Sequence, residues 1–312
     1  MNKLRDGEPS RRKPLFTRST RQTTTGYSLI LPNTLGLVFF FALPIGIALG
    51  LAFFTWNIFQ PPTFAGFDNF KKLIQDPVFF RSAGNTIKLV VVSVPLQMAL
   101  ATVIALGLNM GLRGTSFLRT AYFLPLVTST VAAAAVFAWI FQPSFGFVNL
   151  SLEAVGLGQP DWFADPNLVL IPIAIIVIWQ RVGLDTVLIL AGLQAIPQMY
   201  HDVATVDGAT AWQRFRYVTV PLLSPTLFLV AVLETIFVFQ VFDQVIILTS
   251  KSVLGGVGGS ASTLSFYFYK AGFLQNKFGY AATIALAQFV LILCVTGFQL
   301  FAQKRWVHYA SD

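Results

Sequence analysis

Residues 203–225 read VATVDGATAWQRFRYVTVPLLSP, a polar and aromatic segment in a chain that is otherwise strongly apolar. Hydrophobic residues make up 55% of the 312 residues and charged residues only 11%. An ordinary soluble domain has about 25% charged residues. The composition therefore indicates a membrane protein in which this patterned segment lies between apolar spans.

The apolar stretches on either side of the segment predict the fold. A span needs about 20 mostly apolar residues, and six stretches satisfy this requirement. The chain is therefore expected to be an all-α membrane protein with six transmembrane helices. We expect residues 1–28 to form a basic, disordered tail, residues 29–312 to form the transmembrane domain, and residues 196–220 to form a loop within it. The six spans are predicted at 30–55, 86–110, 120–141, 168–194, 221–249 and 279–303.

The distribution of Lys and Arg predicts the orientation of the chain. With the N-terminus in the cytoplasm, the inner segments hold thirteen of these residues and the outer loops hold six. Cytoplasmic loops of membrane proteins carry such an excess. Both termini and the loop at 196–220 are thus predicted to be cytoplasmic. The net charge of +8 is explained by topology and gives no reason to expect nucleic acid as a partner.

Several classes of site have no motif in this sequence. GxxxxGK[ST], which cradles nucleotide phosphates, is absent, and so are HExxH and CxxC. The chain has only two histidines and one cysteine, Cys294. We therefore expect no catalytic residue and no metal site. If transport is driven by ATP, a separate subunit must hydrolyse it.

Polar side chains inside the predicted spans are the candidates for a solute path. Such groups are costly in a bilayer, so they face the bundle interior or a water-filled passage. One interpretation is that they offer hydrogen bonds to a hydroxyl-rich solute; the other is that Arg181 pairs with Asp185 or Glu234 and holds helices together. Gln240 and Gln244, four residues apart, are expected to project together. The candidate set is Arg181, Asp185, Glu234, Gln240, Asp243 and Gln244.

The opening segment is predicted to form two short helices on the cytoplasmic surface. The first helix covers 198–206 and is followed by a left-handed turn on Gly208. Either Asp207 or Thr210 is expected to cap the second helix. The second helix runs to about Val218 and clusters Trp212, Phe215 and Arg216 on one face, and Pro221 begins the fifth span. This aromatic face is either a docking site or an amphipathic surface that lies on the membrane.

The segment resembles the cytoplasmic EAA loop of ABC importer permeases. Asp207-Gly208-Ala209 matches the DGA of that loop, and Phe215, Val218, Pro221 and Pro225 fall at its later positions. Asp202-Val203-Ala204 stands where the family has EAA. Further stretches, FDQVIILT at 242–249, TLSFYFYKAGF at 263–273 and GYAATIA at 279–285, resemble the carbohydrate-uptake branch.

The resemblance implies the type I ABC importer permease fold and a place in a larger assembly in a bacterial inner membrane. The implied partners are a second permease subunit of a different chain, two ATPase subunits that bind ATP and Mg²⁺, and an extracytoplasmic solute-binding protein. Asp202 would make a charge-assisted contact with an ATPase subunit. The residues implied to couple to it are Asp202, Ala204, Asp207, Gly208, Ala209, Trp212, Phe215 and Pro221.

Two other functions remain open from the sequence. An ion-coupled secondary transporter would use Glu234 and Asp243 as coupling groups, but it would need no docking loop for an ATPase. A non-transporting scaffold would gain nothing from polar groups in the middle of the membrane.

Overall fold

A computed structural model describes residues 18–110, 115–250 and 252–307 of the chain. The chain divides into two compact units, Met1–Gly50 and Leu51–Asp312.

The described part of the first unit is helical. Helix α1 covers Arg18–Leu37, a single π-helical stretch covers Val38–Ala42, and helix α2 covers Leu43–Leu51. Within this run, residues Thr25–Leu51 are apolar and long enough to cross a membrane. The first predicted span is therefore present.

The expectation of a disordered tail up to residue 28 is wrong for its last part. Helix α1 begins at Arg18, because a helix that is already nucleated by the apolar span extends into adjoining polar residues at little cost. Residues 1–17 lie outside the described part of the chain.

The second unit contains the remaining helices and one β-hairpin. Three of its long helices, at 77–109, 170–194 and 278–306, match predicted spans in length and apolar character. Their bounds, with those of the shorter elements, follow in chain order: β1 Phe54–Asn57, β2 Gln60–Phe64, α3 Asp68–Ile74, α4 Pro77–Asn109, α5 Thr115–Val127, α6 Thr130–Ile140, α7 Phe147–Ala154, α8 Leu170–Gln194, α9 Gln198–Val206, α10 Ala211–Arg214, α11 Val220–Phe239, α12 Asp243–Thr249, α13 Leu264–Tyr269 and α14 Phe278–Trp306.

The hairpin adds a short two-stranded sheet to the mostly helical second unit. Strands β1 and β2 pair in antiparallel register, with Phe54 opposite Phe64. The Asn57 side-chain Oδ1 accepts a hydrogen bond from the Phe59 backbone N–H at 3.2 Å, which stabilises the turn. Two prolines at 61 and 62 disfavour a helix there and leave the extended conformation.

The third predicted span, 120–141, is two helices, α5 and α6. Ser129 between them has an extended backbone, with ψ of 127°. The Thr128 hydroxyl donates to the Pro125 carbonyl oxygen at 2.7 Å. Hydroxyl side chains that bond to nearby carbonyls compete with the helical pattern, and a proline one turn earlier weakens that pattern further.

The fifth predicted span, 221–249, is also broken. Helix α11 ends at Phe239, and Phe242, whose backbone is not helical (φ −142°, ψ −58°), precedes helix α12. Side chains satisfy the carbonyls that the break exposes: the Thr263 hydroxyl donates to Val241 O at 2.8 Å, and Gln288 Nε2 donates to Phe239 O at 3.0 Å. Irregular backbone at membrane depth requires such partners.

Three long helices form the centre of the second unit. Leu89 early in α4 belongs to the same buried cluster as Ile173 early in α8, whereas Ala105 late in α4 packs in a second cluster with Leu193 late in α8. These two helices therefore run parallel. Leu223 at the start of α11 belongs to the second cluster, so α11 runs antiparallel to both.

One glycine sets the distance between α5 and α8. A Cβ added at Gly183 would lie 2.0 Å from the backbone oxygen of Tyr122. Small residues allow helix backbones to approach in membrane proteins. The close approach fixes α5 against the part of α8 that carries Arg181 and Asp185.

Candidate functional site

The turn between α9 and α10 forms as the sequence predicts. Gly208 has φ of +78°, a conformation that glycine adopts without steric cost. The Ala209 N–H donates to Ala204 O at 2.9 Å and closes the end of α9. Thr210 then caps α10 in a reciprocal pair with Gln213, as in a capping box.

The acidic and aromatic groups of this loop face outward. Asp202 is exposed on α9, and Gln198 Nε2 donates to its Oδ1 at 3.2 Å. On α10, Trp212 is 70% exposed, and its ring centroid lies 5.5 Å from that of Phe215. Arg214 donates a hydrogen bond to the Thr205 hydroxyl and so joins the two helices. The loop is thus a small, internally bonded unit with an exposed carboxylate and an exposed aromatic ring.

Helix α10 does not stop before the fifth span. Residues Ala211–Phe239 form one continuous helical run, so the prediction that Pro221 begins a separate helix is wrong. The reason is a π-helical stretch, Phe215–Thr219, that ends with Val220 N–H bonded to Phe215 O. This shifted pairing comes just before Pro221, whose missing N–H would otherwise interrupt an α-helix. The exposed Trp212 and helix α11 therefore belong to one continuous helical run.

Deep in the bundle, Arg181 of α8 pairs with Glu234 of α11 and not with Asp185. The shortest contact joins Arg181 Nη2 to Glu234 Oε1 at 2.6 Å, and Nε donates to both carboxylate oxygens at 3.1 and 3.2 Å. The guanidinium also lies 4.2 Å from the centre of the Phe237 ring. This contact ties α8 to α11.

A second polar contact ties α8 to α4. Gln97 Nε2 donates to Asp185 Oδ2 at 2.6 Å, and both side chains are fully buried. Asp185 also interacts electrostatically with Glu234 and Arg181. The four groups therefore form one network across three helices.

The remaining candidates separate into two environments. Gln244 is buried and donates to Gln180 Oε1 at 2.9 Å, whereas Gln240 and Asp243 are exposed. The expectation that Gln240 and Gln244 project together is wrong, because the helix breaks between them. Gln240 and Asp243 are the members of the candidate set whose side chains are exposed.

Sequence reasoning missed the glutamines that complete these contacts. Gln97 and Gln180 lie in apolar spans, and each bonds to one of the candidate residues. An amide within an apolar run could have identified them, since it needs a partner in lipid. Among the described residues, no group of three or more His, Cys, Asp and Glu side chains could hold a metal ion.

Known proteins share this architecture. The family described as binding-protein-dependent transport system inner membrane component matches residues 97–308. The probable ABC transporter permease protein YesP of Bacillus subtilis is 33% identical, over 95% of this chain and 96% of its own. The lactose transport system permease protein LacF of Rhizobium radiobacter is 32% identical, over 89% of this chain and 94% of its own.

A solved structure is similar along nearly the whole chain. It is the bacterial alginate ABC transporter in complex with an alginate pentasaccharide-bound periplasmic protein. One of its chains is 25% identical with a TM-score of 0.79, covering 92% of this chain and 96% of that one. By its helices and these likenesses, the chain belongs to the family of binding-protein-dependent transport system inner membrane components, and it is a multi-pass inner-membrane permease subunit of an ABC transporter and not itself an enzyme.

Proposed function

We propose that this chain is the permease subunit of an ATP-driven importer of a sugar, a di- or oligosaccharide or a glycosylated polyol. The lactose permease and the alginate transporter among its relatives support a carbohydrate substrate. The exposed polar groups Gln240 and Asp243 suit a hydroxyl-rich solute, because they can donate and accept hydrogen bonds.

The proposed topology has six spans and both termini in the cytoplasm. Helices α5 and α6 together form the third span. The parallel course of α4 and α8 supports this arrangement, because two spans separated by one other must cross in the same direction. The loop at 196–220 then lies at the cytoplasmic end of α8, in agreement with the excess of Lys and Arg in the predicted inner segments.

The observation that carries the coupling role is the continuity of Ala211–Phe239. Asp202 and Trp212 contact an ATPase subunit, and Gly208 permits the tight turn that presents them. A movement of this surface is transmitted to Glu234 along the helical run, which continues through the π-helical stretch and Pro225 without a non-helical segment. Binding energy at the loop thereby switches the bundle between two access states.

The assembly contains a second permease subunit of a different chain, two ATPase subunits and an extracytoplasmic binding protein. The periplasmic protein in the alginate complex supports the last of these. ATP and Mg²⁺ bind to the ATPase subunits. The ion-coupled alternative is disfavoured, because Glu234 is engaged by Arg181 at 2.6 Å and is only 1% exposed.

Uptake by reconstituted complexes tests the coupling role. Gly208→Pro and Asp202→Arg should abolish ATP-dependent uptake while the complex remains in the membrane. Matched controls are Gly156→Pro, at another glycine with positive φ, and Glu153→Arg, at another exposed acid. Undiminished uptake with both loop variants would overturn the proposal, and so would uptake that survives depletion of ATP but not collapse of the proton gradient.

A further inference from the structure

The second unit contains an open cavity outside the coupling loop and the buried polar network. It encloses about 530 Å³ between the β-hairpin, helix α3 and the segment that joins α13 to α14. Trp56 lines it from the hairpin, Asn69 and Lys72 from α3, and Asn276 and Lys277 from the joining segment. The cavity adjoins the starts of α4 and α14, whereas the coupling loop follows the end of α8.

The cavity lining is polar and aromatic. None of its eleven residues has an aliphatic side chain, which disfavours an acyl chain as the occupant. Trp56 and two tyrosines offer flat apolar faces, and the amides of Gln275 and Asn276 offer donors and acceptors. The Asn69 Nδ2 already donates to Ala52 O and Phe54 O, and the Asn57 Oδ1 accepts from the Phe59 N–H. Aromatic faces with amides suit a sugar ring, which has C–H groups on its faces and hydroxyls at its edge.

Asp76 lines the cavity, but its carboxylate is occupied by the protein. The hydroxyls of Tyr267 and Tyr280 both donate to its Oδ2, and the Val78 backbone N–H donates to its Oδ1 at 2.8 Å. Burial raises the pKa of Asp76, but these hydrogen bonds outweigh burial and hold the pKa below its usual value. Asp76 is therefore a fixed anion that organises the wall of the cavity.

The two lysines of the cavity have no such partner. Within the described part of the chain, salt bridges form only between Lys71 and Asp68 and between Arg181 and Glu234. The ammonium groups of Lys72 and Lys277 are thus available to a ligand, and they outnumber the single carboxylate of the lining. Lysine ammonium groups bind carboxylate and other oxyanions through charge-assisted hydrogen bonds.

We propose that this cavity binds a sugar unit that carries an acidic group. The sugar ring packs on Trp56, the amides bind its hydroxyls, and Lys72 and Lys277 bind its anionic group. The proposal rests on the proposed function, which places the cavity on the outer side where solute arrives. It makes the cavity a second saccharide site of the importer, separate from Gln240 and Asp243.

Calorimetric titration of the complete transporter in nanodiscs, without its binding protein, tests this site. The probes are digalacturonate and its neutral counterpart, galactobiose. Digalacturonate should bind saturably and galactobiose at least about tenfold more weakly, since galactobiose has no anionic group to pair with the two ammonium groups. The double variant Lys72→Gln/Lys277→Gln should weaken digalacturonate binding by a similar factor, and Trp56→Leu should weaken both probes.

Lys71→Gln is the matched control, because Lys71 is the neighbour of Lys72 on α3 but lies outside the cavity lining. It should leave digalacturonate binding unchanged. The proposal is overturned if neither probe binds, if both bind equally, or if Lys71→Gln weakens binding as much as the double variant. The ATP hydrolysis that the binding protein stimulates is measured on the same samples. If the wild-type transporter binds digalacturonate but shows no stimulated hydrolysis, the result contradicts the proposed function and not the cavity site.

Discussion

Removal of either partner of the Arg181–Glu234 pair should destabilise the bundle more than removal of both. Three hydrogen bonds join the two side chains. The Glu234 side chain is 1% exposed and the Arg181 side chain is 17% exposed. Removing one partner of a buried ion pair lowers the free energy of unfolding by about 3–5 kcal/mol, whereas replacing both partners by apolar residues is often neutral or stabilising. Arg181→Met should be the worse single variant, because it leaves Glu234 and Asp185 without their cation. Glu234→Leu should cost less, because the Arg181 side chain left behind is partly exposed.

A double-mutant cycle measures this effect by equilibrium unfolding of the purified permease in mixed detergent micelles. Arg181→Met/Glu234→Leu should recover most of the stability lost by Arg181→Met. Lys88→Met is the control, since Lys88 is exposed on α4 and has no ion pair in the described structure. The reasoning is refuted if the unfolding free energy of Arg181→Met lies within about 0.5 kcal/mol of the wild-type value, which is the range of neutral surface substitutions. It is also refuted if the double variant is the least stable of the three.

Three further changes test separate parts of the structure. Gly183→Ala should lower the unfolding free energy by about 1–3 kcal/mol, because its Cβ would meet Tyr122 O at 2.0 Å; an unchanged unfolding curve would contradict the close approach of α5. Asp76→Asn should lower the free energy of unfolding at neutral pH. The difference in unfolding free energy from wild type should narrow as the pH falls below about 4, the unfolded pKa of Asp, because the lowered folded pKa of Asp76 stabilises only the ionised state. A difference independent of pH would exclude the Asp76 charge as its cause. Gln240→Leu with Asp243→Leu should reduce sugar uptake without weakening ATPase binding, and unchanged uptake would remove both residues from the path.

The sequence predicted the features that depend on local chemistry. The apolar runs indicated the five longest helices, Gly208 indicated the turn, and Thr210 was one of the two residues expected to cap the second helix. The aromatic contact between Trp212 and Phe215 also follows from helical spacing. These features arise within a few residues of one another, so the sequence contains nearly all the information they require.

The features that sequence reasoning missed depend on distant partners. The break after Phe239 is stabilised by Thr263 and Gln288, which lie far along the chain. The choice of Glu234 over Asp185 as partner of Arg181 depends on how α8 and α11 pack. The cavity gathers residues from 55 to 280, so no single stretch could have indicated it.

The central claim is that the loop at 196–220 contacts an ATPase subunit, and cross-linking tests it most directly. The chain has one cysteine, exposed Cys294, so Cys294→Ser gives a background in which Asp202→Cys supplies the only thiol of this subunit. A short cross-linker with a maleimide at one end and an amine-reactive ester at the other should then join this thiol to a lysine of the ATPase subunit, and the product should be lost when Gly208→Pro is added. A product from Glu153→Cys with none from Asp202→Cys, in complexes that still transport, would contradict the account.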